Sequence, residues 1–146
     1  MAFSDRELLA RILKCEAGGE GEIGMKAVAT SIMNRVRVSY GEYHRVCQGD
    51  IRKVIYQKGQ YDCMRSYLGG VANPQTIWAN PPEQIHYDIA DWALAGNRLY
   101  PIGYSLWYFN PYAPCPYTFP QNGSGSFQTK ILHHCFYNPT SFYYTT

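Results

Sequence analysis

Charge is scarce in this sequence: only 16% of its 146 residues are Asp, Glu, Lys or Arg, 13 basic against 11 acidic, for a formal net charge of +2. A balance that mild and scattered excludes the electrostatic footprint of a nucleic-acid binder and leaves at most a weak preference for an anionic polymer. Long apolar runs are missing as well, so no stretch has the length that a membrane-spanning helix requires. The first residues, MAFSDRELLARILK, put Asp5, Arg6, Glu7 and Arg11 where the apolar core of an export signal belongs. The expectation is therefore synthesis in the cytosol without the usual secretory signal. C-x-x-C spacing is absent too, because Cys15, Cys47, Cys63, Cys115 and Cys135 are spread along the chain. That spread argues against a zinc cluster, and neither a metal nor a cofactor is expected. Five being odd, at least one thiol is free or pairs between chains. Cys115 and Cys135, both in loop-like sequence, are the first intrachain pair to consider.

Aromatic residues are plentiful: 14 Tyr, 6 Phe and 3 Trp, many of them in the last third among Pro, Asn and Gly. Tyr and Trp rings suit core packing and sugar contact alike, so composition does not decide between them. With 46% hydrophobic residues, the chain has enough apolar material for one compact core, and residues 1–146 are read as a single domain.

Ser4 with Glu7 three residues on reads as a capping box that starts a helix near Asp5. At about 100° per residue, Leu8, Leu9, Ile12 and Leu13 form one apolar stripe, and Glu16 falls near its middle. A carboxylate on a buried stripe costs several kcal/mol unless it is paired or protonated. Glu16 is thus either the partner of an arginine such as Arg35 or Arg37, or a functional acid. Gly18, Gly19 and Gly21 then end the helix and leave backbone open around the carboxyl group. A second helix, from about Glu22 to Arg37, buries Met25, Val28, Ala29, Ile32, Met33 and Val36.

Helical signal weakens from Ser39 to Pro82, apart from a short helix at Asp50 to Tyr56; QKGQYDCM and GGVANPQTIWANPP read as loops. A third long helix is expected from Pro82 to Ala95, with Ile85, Ile89 and Trp92 on one face and Gly96 at its end. The blocks SLWYFNP and HHCFYNP read as two short strands of a small sheet. Along the first, Leu106, Tyr108 and Asn110 share one face, and Trp107 and Phe109 the other. The fold class is α+β, helix-dominated, with a small antiparallel sheet.

Beside Glu16, several polar residues are candidates for contact with substrate: Glu20, which otherwise caps the second helix; Asn34, on the polar side of that helix; Gln57, Gln60 and Tyr61 in a loop; and Tyr108 and Asn110, which offer polar ends on their strand. His133 and His134 beside Cys135 invite a metal or Cys-His reading. No second ligand cluster has zinc spacing, and neighbouring strand residues point apart, so neither reading is adopted.

LLARILKCEAGGEGEIGMKAVATSIMNRV and the downstream VIYQKGQY resemble the catalytic domain of the spore cortex-lytic cell wall hydrolases, in which E-A-x-G-E is followed by a helix ending in N-R-V. The blocks GYSLWYFNPYAPCP and GSFQTKILHHCFYNPT resemble the CwlJ branch more closely than the SleB branch. The resemblance implies a lysozyme-like core, substrate in a groove, and cleavage between N-acetylmuramic acid and N-acetylglucosamine. It puts the family's catalytic glutamate, the first Glu of E-A-x-G-E, at Glu16, and the expectation is that this one residue serves as both general acid and general base. It further implies a lytic transglycosylation leaving a 1,6-anhydromuramoyl end, action during germination of a spore-former, residence in the coat or at the coat and cortex boundary, and a coat protein partner. A simple hydrolase would want a second carboxylate, for which Glu20, Glu22, Asp50 and Asp62 are available. Two other classes stay open: a non-catalytic glycan-binding or coat-structural protein, and an amidase or peptidase acting on the stem peptide.

Overall fold

A computed structural model describes residues 3–57 and 60–146; Lys58 and Gly59, inside a stretch read as loop, lie outside the described residues. Helix α1 (Asp5–Ala17) opens on Ser4, whose hydroxyl accepts from the Glu7 N–H at 3.1 Å. The reciprocal half of the expected capping box is replaced. Glu7 turns its carboxylate to Arg11 Nε at 2.7 Å and the Tyr87 hydroxyl at 2.8 Å, because a charged partner one turn along is the stronger one. Leu8, Leu9, Ile12 and Leu13 are fully buried, each contributing about 2 kcal/mol of apolar burial.

Helix α2 (Gly21–Arg37) is enclosed on nearly all sides, from Met25 through Ile32 to Met33, with Val36 half-buried. Helix α3 (Gly41–Cys47), not legible in the sequence, and α4 (Ile51–Tyr56), capped by Asp50, pack against it. Gly41 has φ +76° and the Tyr143 ring stands where a Cβ would lie, so only glycine fits there. A small hairpin, β1 (Tyr67–Leu68) with β2 (Val71–Ala72), precedes α5 (Gln84–Leu94). That helix is shorter than the expected Pro82 to Ala95, since a capping box of Glu83 with His86 sets its start. Its buried residues are His86, Ile89, Ala90 and Ala93. Ile85 is 36% exposed instead of buried, and Trp92 is half-buried under the Lys26 ammonium. Helices α1, α2 and α5 pack on one another and carry the core.

The two aromatic blocks form strands β3 (Trp107–Phe109) and β5 (His134–Pro139), joined by a strand that the sequence did not disclose, β4 (Gly125–Ile131). All pair antiparallel in the order β3-β5-β4, with Tyr108 opposite Phe136 and Phe109 opposite Cys135. A last helix, α6 (Ser141–Tyr144), returns Tyr143 to the core. Among the described residues no helix is long and apolar enough to cross a membrane. The molecule is α+β and helix-dominated, with Glu16 at the C-terminal end of α1 facing the sheet through Tyr108.

Candidate active site

Glu16 lines a cleft of about 710 Å³. One wall is the end of α1 and the glycine loop, from Lys14 to Glu20; the far wall brings Gln75 and the start of α5 with Glu83, Ile85 and His86. The sheet side contributes Asn110, Tyr112, His133 and His134. The glycine loop matters because backbone without side chains leaves the carboxyl reachable at the end of an otherwise buried stripe.

The Tyr108 hydroxyl donates to Glu16 Oε1 at 2.7 Å. Burial, then the Glu16 charge, pushes the Tyr108 phenol well above its ordinary range, so it keeps its proton and remains a donor. For Glu16 burial is the largest influence and raises the pKa; Tyr108 opposes it, the Asp62 charge adds to it and Arg35 opposes it, with a net upward shift. Neither arginine takes the carboxyl as an ion-pair partner. Arg35 donates to the Leu106 carbonyl, Gln60 Oε1 and the Tyr61 hydroxyl, and Arg37 donates to the Ala93 carbonyl.

On the other side of the carboxyl, Cys63 Sγ lies 3.4 Å from Oε2, and Cys63 is disulfide-bonded to Cys15, the residue before Glu16. A disulfide sulfur has no hydrogen to donate, so this contact is apolar and adds to the desolvation. The donor atoms of Cys15, Glu16 and Cys63 cluster within 4.8 Å, but a disulfide presents no thiolate to a metal ion. No spacing rule signalled this bond. Cys115 and Cys135 form a second disulfide at 2.07 Å, and Cys47 is free and buried.

The remaining candidates divide. Tyr108 touches the acid and Asn110 lines the cleft. Glu20 also lines it but does not cap α2 with its side chain; its two oxygens meet His133 and His134 instead. Gln60 and Tyr61, read as loop groups for sugar, belong to a network behind the acid: Gln60 Oε1 accepts from Arg35 and Tyr43, and Tyr61 is 3% exposed. The buried Arg35 guanidinium draws them inward, because an enclosed cation needs acceptors. Gln57 accepts from the Cys47 thiol. Asn34 is 6% exposed, donates to the Gly103 and Ser105 carbonyls, and lines a different cavity from Glu16. It has no solvent side to present, because α2 is surrounded.

Of the four acids that a second catalytic carboxylate would be drawn from, Glu20 is held by the histidines, Glu22 pairs with Lys26 and Asp50 caps α4. Asp62 is the one whose charge reaches Glu16. Lys14, Gln75, Glu83, His86 and Tyr112 also face the cleft and carry no motif that marks them in the sequence.

Tyr108→Phe removes a donor that favours the charged form of Glu16, so the Glu16 pKa rises further. The expected result is an alkaline limb of the pH–rate profile displaced upward, with a stability loss of about 1–3 kcal/mol for leaving the carboxyl without its hydrogen-bond donor. A pH–rate profile with an unmoved limb would contradict the contact's role.

The profile of the Cell Wall Hydrolase family matches residues 19–137, most of the chain. The chain belongs to the cell wall hydrolase family. This cell wall hydrolase is 31% identical over 138 residues to the cell wall hydrolase CwlJ of Halalkalibacterium halodurans, covering 94% of this chain and 87% of the relative. It is 30% identical, with the same coverage, to CwlJ of Bacillus subtilis. Its fold is similar to the catalytic domain of the germination-specific lytic transglycosylase SleB of Bacillus anthracis, with TM-score 0.67, 22% identity, and 94% and 97% of the two chains covered. The SleB catalytic domain of Bacillus cereus gives TM-score 0.68 at 24% identity, with 94% and 93% covered. The helix-dominated cell wall hydrolase fold is thus the lysozyme-like one that the resemblance implied. The family profile's match begins at Gly19, just past Glu16. Glu16 is singled out by the cleft's geometry and by the E-A-x-G-E resemblance.

Proposed function

We propose that this chain cleaves peptidoglycan glycan strands between N-acetylmuramic acid and N-acetylglucosamine by lytic transglycosylation, with Glu16 as the general acid. One observation carries the reading: a half-buried carboxyl whose pKa is raised by desolvation opens onto a cleft and is oriented by a phenol that keeps its proton. Such a carboxyl is protonated nearer neutrality than a solvated one and donates to the glycosidic oxygen. The carboxylate left behind is one group able to accept the proton of the muramic C6 hydroxyl as that oxygen closes on C1. The chain acts as a single domain, on spore cortex during germination, from the coat or the coat and cortex boundary, where a coat protein holds it. The likeness to CwlJ and SleB supports this setting.

Mass spectrometry of muropeptides released from cortex tests the chemistry. 1,6-Anhydromuramoyl ends are expected. Reducing ends would mean hydrolysis, and stem-peptide cleavage or no products would overturn the proposal.

A further inference from the structure

The turn between β4 and β5 brings two histidines onto one carboxylate. His134 Nδ1 lies 2.9 Å from Glu20 Oε1, and His133 Nδ1 lies 3.0 Å from Glu20 Oε2. Nitrogens that close to carboxylate oxygens carry their proton on Nδ1, which leaves Nε2 of a neutral ring as a lone pair. The two rings are not equivalent, for the His133 side chain is 75% exposed and that of His134 only 15%. Among the described residues, Ser31 Oγ is the one fully buried side-chain polar atom without a hydrogen-bond partner. Among the described residues none bonds to His134 Nε2 either, and His134 lines the same cleft as Glu16.

Strand alternation puts His134 on the Glu16 side of the sheet and sends Cys135 the other way, to Cys115. The His134 ring stands edge-on to the Tyr108 ring at 5.4 Å, and the hydroxyl of that same tyrosine sits on Glu16. Burial lowers the His134 pKa while Glu20 opposes the shift, so the imidazole is neutral at neutral pH. The titratable groups around it are Glu20 and His133 beside it, Tyr108 and Glu16 across the ring, and Lys14, Glu83 and His86 on the far wall.

We propose that His134, oriented by Glu20, is the general base that takes the proton of the attacking oxygen. This rests on the reading of Glu16 as the acid. In the step, the glycosidic C1–O bond breaks with its electron pair passing to the leaving oxygen, which takes the Glu16 proton. The muramic C6 oxygen bonds to C1, and its proton passes to His134 Nε2. The imidazolium so formed faces the Glu20 carboxylate, which stabilises it as a buried carboxylate does in a catalytic triad. Water then carries that proton back to the Glu16 carboxylate, and both groups are restored. Two proton-transfer groups spare Glu16, already tied to Tyr108, from serving two different oxygens. Glu20 becomes a positioning residue, and Gly24, where a Cβ would run into the Glu20 side chain, gives it room.

Two substitutions test this. His134→Asn keeps an amide N–H that can meet Glu20 but offers nothing at the Nε2 position, and His134→Ala leaves a gap that free imidazole can enter. Both are expected to lower kcat for release of anhydromuropeptides by about 10²–10⁴-fold with KM within about threefold of wild type. Added imidazole should restore His134→Ala in proportion to its free-base fraction, and restore neither His134→Asn nor Glu16→Gln. A His134→Asn enzyme within about threefold of wild-type kcat would overturn the proposal, as would a folded His134→Ala enzyme that imidazole does not rescue. If His134→Ala fails to fold, the His134→Asn result decides. Failure of the underlying reading looks different: wild type would release no glycan fragments, or Glu16→Gln would stay active.

Discussion

Glu16→Gln is expected to lower turnover on cortex by about 10²–10⁴-fold, the range for removing a general acid, while leaving Tm equal to or above that of the wild type. Gln keeps the shape and an acceptor for the Tyr108 hydroxyl but cannot give up a proton. The stability half follows from linkage. Burial holds the Glu16 pKa above its unfolded value, so the stabilisation attached to its neutral form is fully present below the ordinary glutamate range. It is lost as pH rises through the folded value. Gln, always neutral, suffers no such loss. The gap in Tm between variant and wild type should therefore widen in the variant's favour with rising pH. Thermal melts at mildly acidic and mildly alkaline pH, beside turnover, check both halves. A variant that is active, or that melts well below wild type throughout, would make Glu16 a structural residue.

Loss of the Cys15–Cys63 bond should have the largest effect on stability. The two cysteines are separated by 48 residues, and closing a loop of that size in the unfolded chain is worth roughly 4 kcal/mol on the chain-entropy account. A Cys15→Ser, Cys63→Ser double variant should melt many degrees lower than wild type. The corresponding pair at Cys115 and Cys135, 20 residues apart, should cost about 3 kcal/mol by the same account. Only the first pair should also move the pH profile. A hydroxyl in place of Cys63 Sγ, now 3.4 Å from Glu16 Oε2, becomes a donor that favours the carboxylate. The alkaline limb of turnover should then shift downward, opposite to the shift for Tyr108→Phe. Equal pH profiles for the two double variants would show that the sulfurs do not tune the acid.

Much of the frame was readable because it is local. The stripe of Leu8, Leu9, Ile12 and Leu13, the glycines after Ala17 and the extent of α2 follow from periodicity and backbone freedom within a few residues. Strands β3 and β5 were readable for the same reason. Helix α3 and strand β4 were not: GEYHRVC and GSFQTKI have weak intrinsic patterns and are fixed by what they pack and pair with. Ile85 failed for a related reason, since a helix face next to a cleft loses the neighbour that would have covered it.

For the site, the sequence by itself determined that a glutamate lies on a buried stripe beside an open backbone. Spacing on a helix fixes direction, and direction alone makes that carboxyl anomalous. Tertiary structure decided everything about its company. Tyr108 rather than an arginine meets it, a disulfide rather than a second carboxylate flanks it, and Gln60 and Tyr61 turn inward to Arg35 instead of outward to sugar. Glu20 goes to a pair of histidines more than a hundred residues away. These contacts join segments that no local pattern relates, and they exist only once α1, the Cys63 loop and the sheet have packed around the acid.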